Sequence, residues 1–342
     1  MSSSPTEKIH IAVACNDQYI CGLAVLLQSI GEHLEPDYHL VVHLLYSSLS
    51  PEALSRLESL AQAQRISLDS ILVSHNLLKR SGIDEGLTAG NRTRFFRGSE
   101  FYHRLLLPSV LPASLERVIY MDSDMMARRS IAPLWIKPFD GKAALVIQDP
   151  ILATVADMPY LQELITKPDS RYFNSGLIVF NLDRWRREKL AQRVIRLLDE
   201  QRAQVRYPDQ DILNIVLQGE CQVLDQSWNY SQYLPMSDQA AIIHFTDLKP
   251  WSSEHSGYYQ EEFDAFLRKT PWQDHKPVRP FFFGLYEFCR RHRFILNVGY
   301  RDFLALLLYK SIRPWTWPQT YRSIREKRAR TDRPKPSLIS GL

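Results

Sequence analysis

The chain has 342 residues, 45% hydrophobic and 23% charged, with 20 Pro and 13 Gly, an ordinary globular composition that excludes collagen-like and wholly disordered classes. Lys and Arg number 42 against 38 Asp and Glu, a net charge of only +4, so no nucleic-acid partner is expected. The charge is uneven: residues 276–342 carry 15 basic and 4 acidic side chains, a net of +11, against −7 for the first 275.

Cys15, Cys21, Cys221 and Cys289 have no CxxC spacing, so neither a disulfide nor a zinc framework is expected and a reducing compartment fits. The residues before the first strand lack the apolar run of a secretory signal. No uncharged apolar stretch reaches the roughly 18 residues of a membrane span.

In chain order, Ile9–Ala14 reads as a buried strand. Ile20–His33 places Leu23, Leu26, Leu27 and Ile30 at helical spacing. Tyr38–Tyr46 is a second strand. Ser50-Pro51 opens a helix, Ser as N-cap and Pro at the first helical position, and Ile66–Val73 is a third strand. Ser74–Gly98 holds Gly82, Gly86, Gly90 and Gly98 with Arg92, Arg94 and Arg97. It reads as a long basic loop, of the length that forms lids, and its arginines suit a phosphorylated acceptor. A helix through Arg104 follows, then strands Arg117–Met121, Ala143–Ile147 and Gly176–Asn181. Asp183–Gln201 and Asp209–Leu217 read as helices, and Ala241–Ile243 as a last strand. Near-continuous apolar strands alternating with helices predict an α/β fold, a mostly parallel twisted sheet with helices on both faces. Ligands bind beyond the carboxyl ends of such strands. Three prolines between Pro271 and Pro280 place a boundary there, giving domains 1–275 and 276–342.

Asp122-Ser-Asp124 follows the strand VIYM directly, so two carboxylates project past a rigid strand end, an arrangement that can grip a hard cation and leave room for phosphate oxygens. Alone it reads equally as an acidic turn, and the chain holds a second DxD. Asp209-Gln-Asp211 opens a helix, where Asp209 also suits an N-cap. His244 ends another strand, with Lys249 five residues on in a Pro-Trp-stiffened loop. Two Asp and one His make an oxygen-rich site with open positions, suited to Mn²⁺ or Mg²⁺ over Zn²⁺. With Lys249 nearby it would neutralise a diphosphate leaving group.

The stretches AVACNDQY (12–19), FYHRLLLPSVLP (101–112), RVIYMDSDMMA (117–127), YFNSGLIVFNLDRWR (172–186), YPDQDILN (207–214) and HFTDLKPW (244–251) together resemble glycosyltransferase family 8. The resemblance is to its bacterial lipopolysaccharide α-galactosyl/α-glucosyltransferase branch, with glycogenin more distant. It implies a GT-A nucleotide-diphospho-sugar transferase fold over about residues 9–270. It implies nucleotide contacts from Cys15, Asn16, Asp17, Gln18 and Tyr19, with Tyr19 stacking on the base; the family usually has Asp where this chain has Asn16. Arg104 would approach donor sugar and phosphates, and Ser123 the ribose. Asp122, Asp124 and His244 would hold the metal, and Lys249 would reach the diphosphate. Thr246-Asp247 stands where the family often has Gly. Asp149, Asn174, Asp209 and Gln210 would surround the sugar, Gln210 presenting its amide oxygen to the anomeric carbon.

The family retains anomeric configuration. Double displacement and same-face substitution both achieve this; the second is favoured, because amides are poor nucleophiles and no activated nucleophile is evident. The implied activity is a Mn²⁺-dependent retaining hexosyltransferase using UDP-galactose or UDP-glucose. The acceptor would be a saccharide or lipid-linked saccharide, with the lipopolysaccharide core preferred. A glycogenin-like primer, a protein acceptor, and a non-catalytic nucleotide-sugar-binding module are the alternatives.

Residues 276–342 alternate aromatics and Arg (FFFGLYEFCRRHRF, FLALLLYK, PWTWP, YRSIREKRAR). They read as a basic helical appendage for an anionic membrane surface or as a packed helical subdomain. The expected location is cytoplasmic, peripheral at the inner face of the bacterial cytoplasmic membrane.

Overall fold

The structure is a computed structural model that describes residues 7–83, 99–252 and 258–276. The described residues all fall in one compact unit, Met1–Pro277. The expected helical appendage and Arg92, Arg94 and Arg97 lie outside the described residues. Among the described residues no helix is long and apolar enough to cross a membrane.

A seven-stranded sheet dominates. Its strands are β1 (Glu7–Cys15), β2 (Tyr38–Tyr46), β3 (Ser67–Leu72), β4 (Arg117–Met121), β6 (Ala144–Gln148), β7 (Phe173–Asn181) and β8 (Cys221–Leu224), in the order β3-β2-β1-β4-β7-β6-β8. All neighbours are parallel except β7, which runs antiparallel to both β4 and β6. The reversal matters for the site. The carboxyl ends of β1, β4 and β6 share one edge with the amino end of β7, so Asn174, at the start of β7, lies on the same edge as the loops after Cys15, Met121 and Gln148.

Both sheet faces are apolar, as the continuous strands predict. Ile9, Ile11, Val13, Ile119, Met121, Leu145, Leu177 and Val179 pack into one core with the helices Ile20–His33 and Pro51–Ala63. Ala12, Val118, Tyr120, Val146, Ile178 and Phe180 pack into a second core with Trp185 and the helices Leu190–Gln201 and Pro208–Val216. Ser50 caps its helix as expected, Oγ accepting from the Ala53 N–H at 3.2 Å.

The structure corrects four expectations. The segment after Ser74 starts as a helix, His75–Arg80, with Ser74 as N-cap. Asp183–Gln201 is two helices, Leu182–Arg187 and Leu190–Gln201, broken where Lys189 enters the left-handed region at φ 52°. β7 starts at Phe173, three residues before Gly176. The strand bearing His244 is outside the main sheet: β10 (Ile242–His244) pairs antiparallel with β5 (Met125–Ala127) and parallel with β9 (Tyr230–Ser231) in a small second sheet. The expected strand Ala241–Ile243 is found one residue on, but its partners β5 and β9, three and two residues long, carry too little periodicity to be read from sequence. Since β5 begins one residue after Asp124, its pairing with β10 sets His244 opposite Met125.

Below the site, His103 is fully buried, with Ser99 Oγ 3.2 Å from its Nε2. Burial, partly offset by Glu100, brings its pKa down from 6.5 to about 4. Between those values the unfolded chain binds the proton and the folded one does not, so stability falls as pH drops from about 6.5 towards 4. The expected loss from this group is roughly 1 kcal/mol per pH unit. In urea titrations across that range, His103→Leu should lose less stability than the native chain; parallel curves would contradict this.

Candidate active site

Two separate segments deliver acidic and imidazole groups to one point. Asp122 and Asp124 leave β4 in a tight turn, and His244 arrives from β10. One ligand atom from each can be chosen so that all lie within 4.8 Å of one another. His244 Nε2 is 3.2 Å from Asp124 Oδ1 and 3.9 Å from Asp122 Oδ2. Cations flank the carboxylates. Lys249 Nζ donates to Asp124 Oδ2 and, at 2.7 Å, to the Phe245 carbonyl. Arg104 Nη2 donates to Asp122 Oδ1 at 2.9 Å, and its Nε lies 3.3 Å from Asp209 Oδ2. Tyr120 also donates to Asp122 Oδ1, at 2.9 Å, and its ring lies 4.4 Å beneath the guanidinium.

These contacts set the charge states. Burial would raise the Asp124 carboxyl, but Lys249 and His244 outweigh it and hold the group well below the usual carboxylate range. Burial raises Asp122, with the Asp124 charge adding to it and Arg104 opposing. Burial lowers the Lys249 ammonium, but Asp124 more than reverses this.

The donor set fits a hard divalent cation. Asp124 Oδ1 is buried with no hydrogen-bond donor although it faces an imidazole nitrogen, and such an orphaned acceptor is costly unless a cation meets it. Gly176 reinforces the fit. A Cβ there would stand 2.3 Å from His244 Cε1 and 2.9 Å from Nδ1, so only glycine leaves the imidazole its place.

Beside this cluster lies a neutral-to-acidic one. Gln210 Oε1 accepts from the Ser175 N–H at 3.0 Å and from Asn174 Nδ2 at 3.2 Å, while Nε2 donates to Asp149 Oδ2 at 3.3 Å and Tyr172 OH at 3.2 Å. Asp149 Oδ1 accepts from the Ile151 and Leu152 N–H groups, fixing the turn after β6. Asp209 Oδ2 accepts from Ser175 Oγ at 3.1 Å. Arg104 joins the two clusters through Asp122 and Asp209.

The expected N-cap role of Asp209 does not hold. Tyr207 occupies that position and Pro208 starts the helix. Asp211 secures the helix entry instead: its Oδ2 accepts from the Arg206 and Tyr207 N–H groups, and its Oδ1 from Tyr172 and Tyr160. The second DxD is therefore split, Asp209 facing the site and Asp211 serving the fold.

The loop after β1 completes the edge. Cys15 is buried and its thiol donates to the Asn16 carbonyl. Asn16 caps the following turn, Oδ1 accepting from the Gln18 N–H at 3.0 Å. Asp17 Oδ1 accepts from the Ser50 N–H. Trp251 Nε1 donates to the Gln18 carbonyl at 2.9 Å. The Tyr19 ring stands edge-on to Trp251, with Lys249 Nζ 5.6 Å from its centroid. Gly22 allows this convergence, since a Cβ there would lie 2.5 Å from both the Ser123 carbonyl and the Trp251 ring. In the His244–Lys249 loop, Asp247 adopts φ 63°. This is the left-handed region, which glycine adopts most readily and Asp tolerates better than most residues.

Residues 10–255 match the profile of glycosyl transferase family 8. The chain belongs to that family. General stress protein A of Bacillus subtilis (strain 168) is 21% identical over 287 residues, covering 78% of this chain and 95% of the relative. Lipopolysaccharide 1,2-glucosyltransferase of Escherichia coli (strain K12) is 22% identical over 311 residues, covering 85% and 86%. Among solved structures, the galactosyltransferase LgtC in complex with donor and acceptor sugar analogs superimposes with a TM-score of 0.64 at 21% identity, over 77% of this chain and 96% of that one. Its fold is the GT-A fold found here.

The structure thus gathers Asn16, Asp17, Gln18, Tyr19, Arg104, Asp122, Ser123, Asp124, Asp149, Asn174, Asp209, Gln210, His244 and Lys249 at one edge. Sequence reasoning passed over Tyr120, Tyr172, Gly176 and Asn229. Tyr172, Gly176 and Asn229 act on residues distant in the chain, and Tyr120 acts on Asp122, two residues on.

Proposed function

We propose that the chain is a retaining hexosyltransferase that moves galactose or glucose from a UDP-sugar to a saccharide or lipid-linked saccharide acceptor. The observation that carries this reading is the convergence of Asp122, Asp124 and His244 on a buried acceptor without a donor, flanked by Lys249 and Arg104 and adjoining the Asp149–Asn174–Gln210 cluster. Mn²⁺, or Mg²⁺, suits the three ligands, and when bound it supplies positive charge to the diphosphate oxygens.

The chain's own residues do the rest. Tyr19 and the 15–18 loop hold uracil and ribose. Ser123 borders the ribose. Lys249 and Arg104 are fixed cations beside the diphosphate and stabilise charge as it leaves. Asp149, Asn174 and Asp209 accept and donate to sugar hydroxyls and orient the ring. Gln210 Oε1 already accepts from Ser175 and Asn174, which supports same-face substitution over attack by the amide. In that step the acceptor oxygen bonds to the anomeric carbon as the bond to phosphate breaks. The hydroxyl proton passes to the departing phosphate oxygen.

The E. coli relative, by its name, favours a lipopolysaccharide-core acceptor and glucose transfer, and LgtC, by its name, favours galactose transfer. Cytoplasmic, membrane-peripheral placement is part of this proposal and is carried by the net +11 of residues 276–342. The test is UDP release from UDP-galactose and UDP-glucose by the full chain, with Mn²⁺ and with chelator. Mn²⁺-dependent release from either donor is expected. UDP binding without release from both would instead indicate a binding module.

A further inference from the structure

Asn229 ends the turn Gln226–Asn229 and is 4% exposed. Its amide lies between His244 Nδ1 and Asn174 Oδ1, 2.9 Å from each. The direction of both hydrogen bonds follows from a fixed point. The Gly176 N–H donates to Asn174 Oδ1 at 3.0 Å, which identifies that atom as the carbonyl oxygen. Asn229 must therefore meet it with Nδ2, and turns Oδ1 to His244. An oxygen can only accept, so His244 carries its proton on Nδ1. In the neutral ring the Nε2 lone pair then points at Asp124 and Asp122, the orientation a metal-ligating imidazole needs. Asn174 has its own Nδ2 committed to Gln210 Oε1 at 3.2 Å and Asp149 Oδ2 at 3.4 Å. The imidazole thus donates to Asn229, Asn229 donates to Asn174 Oδ1, and the Gly176 N–H donates to the same oxygen.

We infer that Asn229 is a positioning residue with two separable functions: its carbonyl fixes the His244 tautomer for cation binding, and its amino group holds Asn174 in the orientation that receives the donor sugar. This rests on the proposed cation and donor reading. The side chain touches neither ion nor sugar in this scheme and acts through the two residues that do. A lost partner of a ligating histidine typically weakens metal binding 10–100-fold.

Two variants separate the functions. Asn229→Leu removes both contacts. Asn229→Asp keeps an acceptor for His244 Nδ1–H but presents oxygen to Asn174 Oδ1. Binding of Mn²⁺ alone, followed by loss of the free-ion EPR signal, should weaken about 10–100-fold in Asn229→Leu and stay near native in Asn229→Asp. KM for the UDP-sugar should rise several-fold in Asn229→Asp, with affinity for UDP itself unchanged. Native Mn²⁺ affinity in Asn229→Leu, or equal weakening in both variants, would overturn the inference. Failure of the native chain to bind Mn²⁺ would instead overturn the cation reading beneath it.

Discussion

Replacing Asp124 with Asn is expected to lower kcat/KM by at least about 10³-fold, some 4 kcal/mol of transition-state stabilisation, and to abolish saturable Mn²⁺ binding. The substitution keeps the shape and removes the charge. One carboxylate oxygen is held by the Lys249 ammonium, and the other faces His244 Nε2 at 3.2 Å without a donor. An amide can satisfy Lys249 through its oxygen but then turns NH₂ towards the position a cation would take. Stability should fall by only about 1–3 kcal/mol, the cost of a weakened buried hydrogen bond to Lys249. Asp211→Asn is the control for acidity as such: that side chain is engaged by Tyr172, Tyr160 and two backbone N–H groups, so Mn²⁺ affinity should not change. Steady-state kinetics and Mn²⁺ titration of both variants check this. A Mn²⁺ affinity for Asp124→Asn equal to that of the native chain would contradict it.

Arg104→Met should produce the largest combined loss of stability and activity. The guanidinium is buried. It pairs with Asp122 and Asp209, donates to the Ser175 and Phe101 carbonyls, and covers the Tyr120 ring. Burial would lower its pKa, and the surrounding acids reverse this and raise it. Removing it leaves Asp122 and Asp209 without the cation that pairs with both, and breaking a buried ion pair in this way costs about 3–5 kcal/mol. The variant should be partly restored by Mn²⁺, which supplies positive charge to Asp122 but not to Asp209. Denaturation midpoints measured with and without Mn²⁺ should therefore differ more for Arg104→Met than for the native chain. Equal increments would mean that Arg104 and the ion do not share the carboxylate.

What could be read from the sequence divides along a physical line. The apolar runs in β1, β4, β6 and β7 identify the doubly covered sheet because each strand is buried on both faces, and Ser50-Pro51 announces its helix through local capping chemistry. Asp122, Asp124, His244 and Lys249 were legible because strand ends and a stiffened loop present them in short motifs. The antiparallel course of β7 was not, since a buried parallel strand and a buried antiparallel one share the same apolar pattern. Nor were β5 and β9, strands of three and two residues that exist only through their pairing with β10. The separate roles of Asp209 and Asp211 were not legible either, because the spacing of a DxD cannot show that its two carboxylates face different neighbours. Asn229 is silent for the same reason: its meaning comes from His244 and Asn174, 15 and 55 residues away.

The claim beneath all of this is that Asp122, Asp124 and His244 share one divalent ion. Anomalous diffraction at the manganese edge, from crystals of the full chain grown with Mn²⁺ and UDP, tests it directly. The predicted result is a single strong peak bounded by Asp124 Oδ1, an Asp122 carboxylate oxygen and His244 Nε2, with diphosphate oxygens completing the coordination. A UDP-bound crystal with no manganese among those three side chains would contradict it.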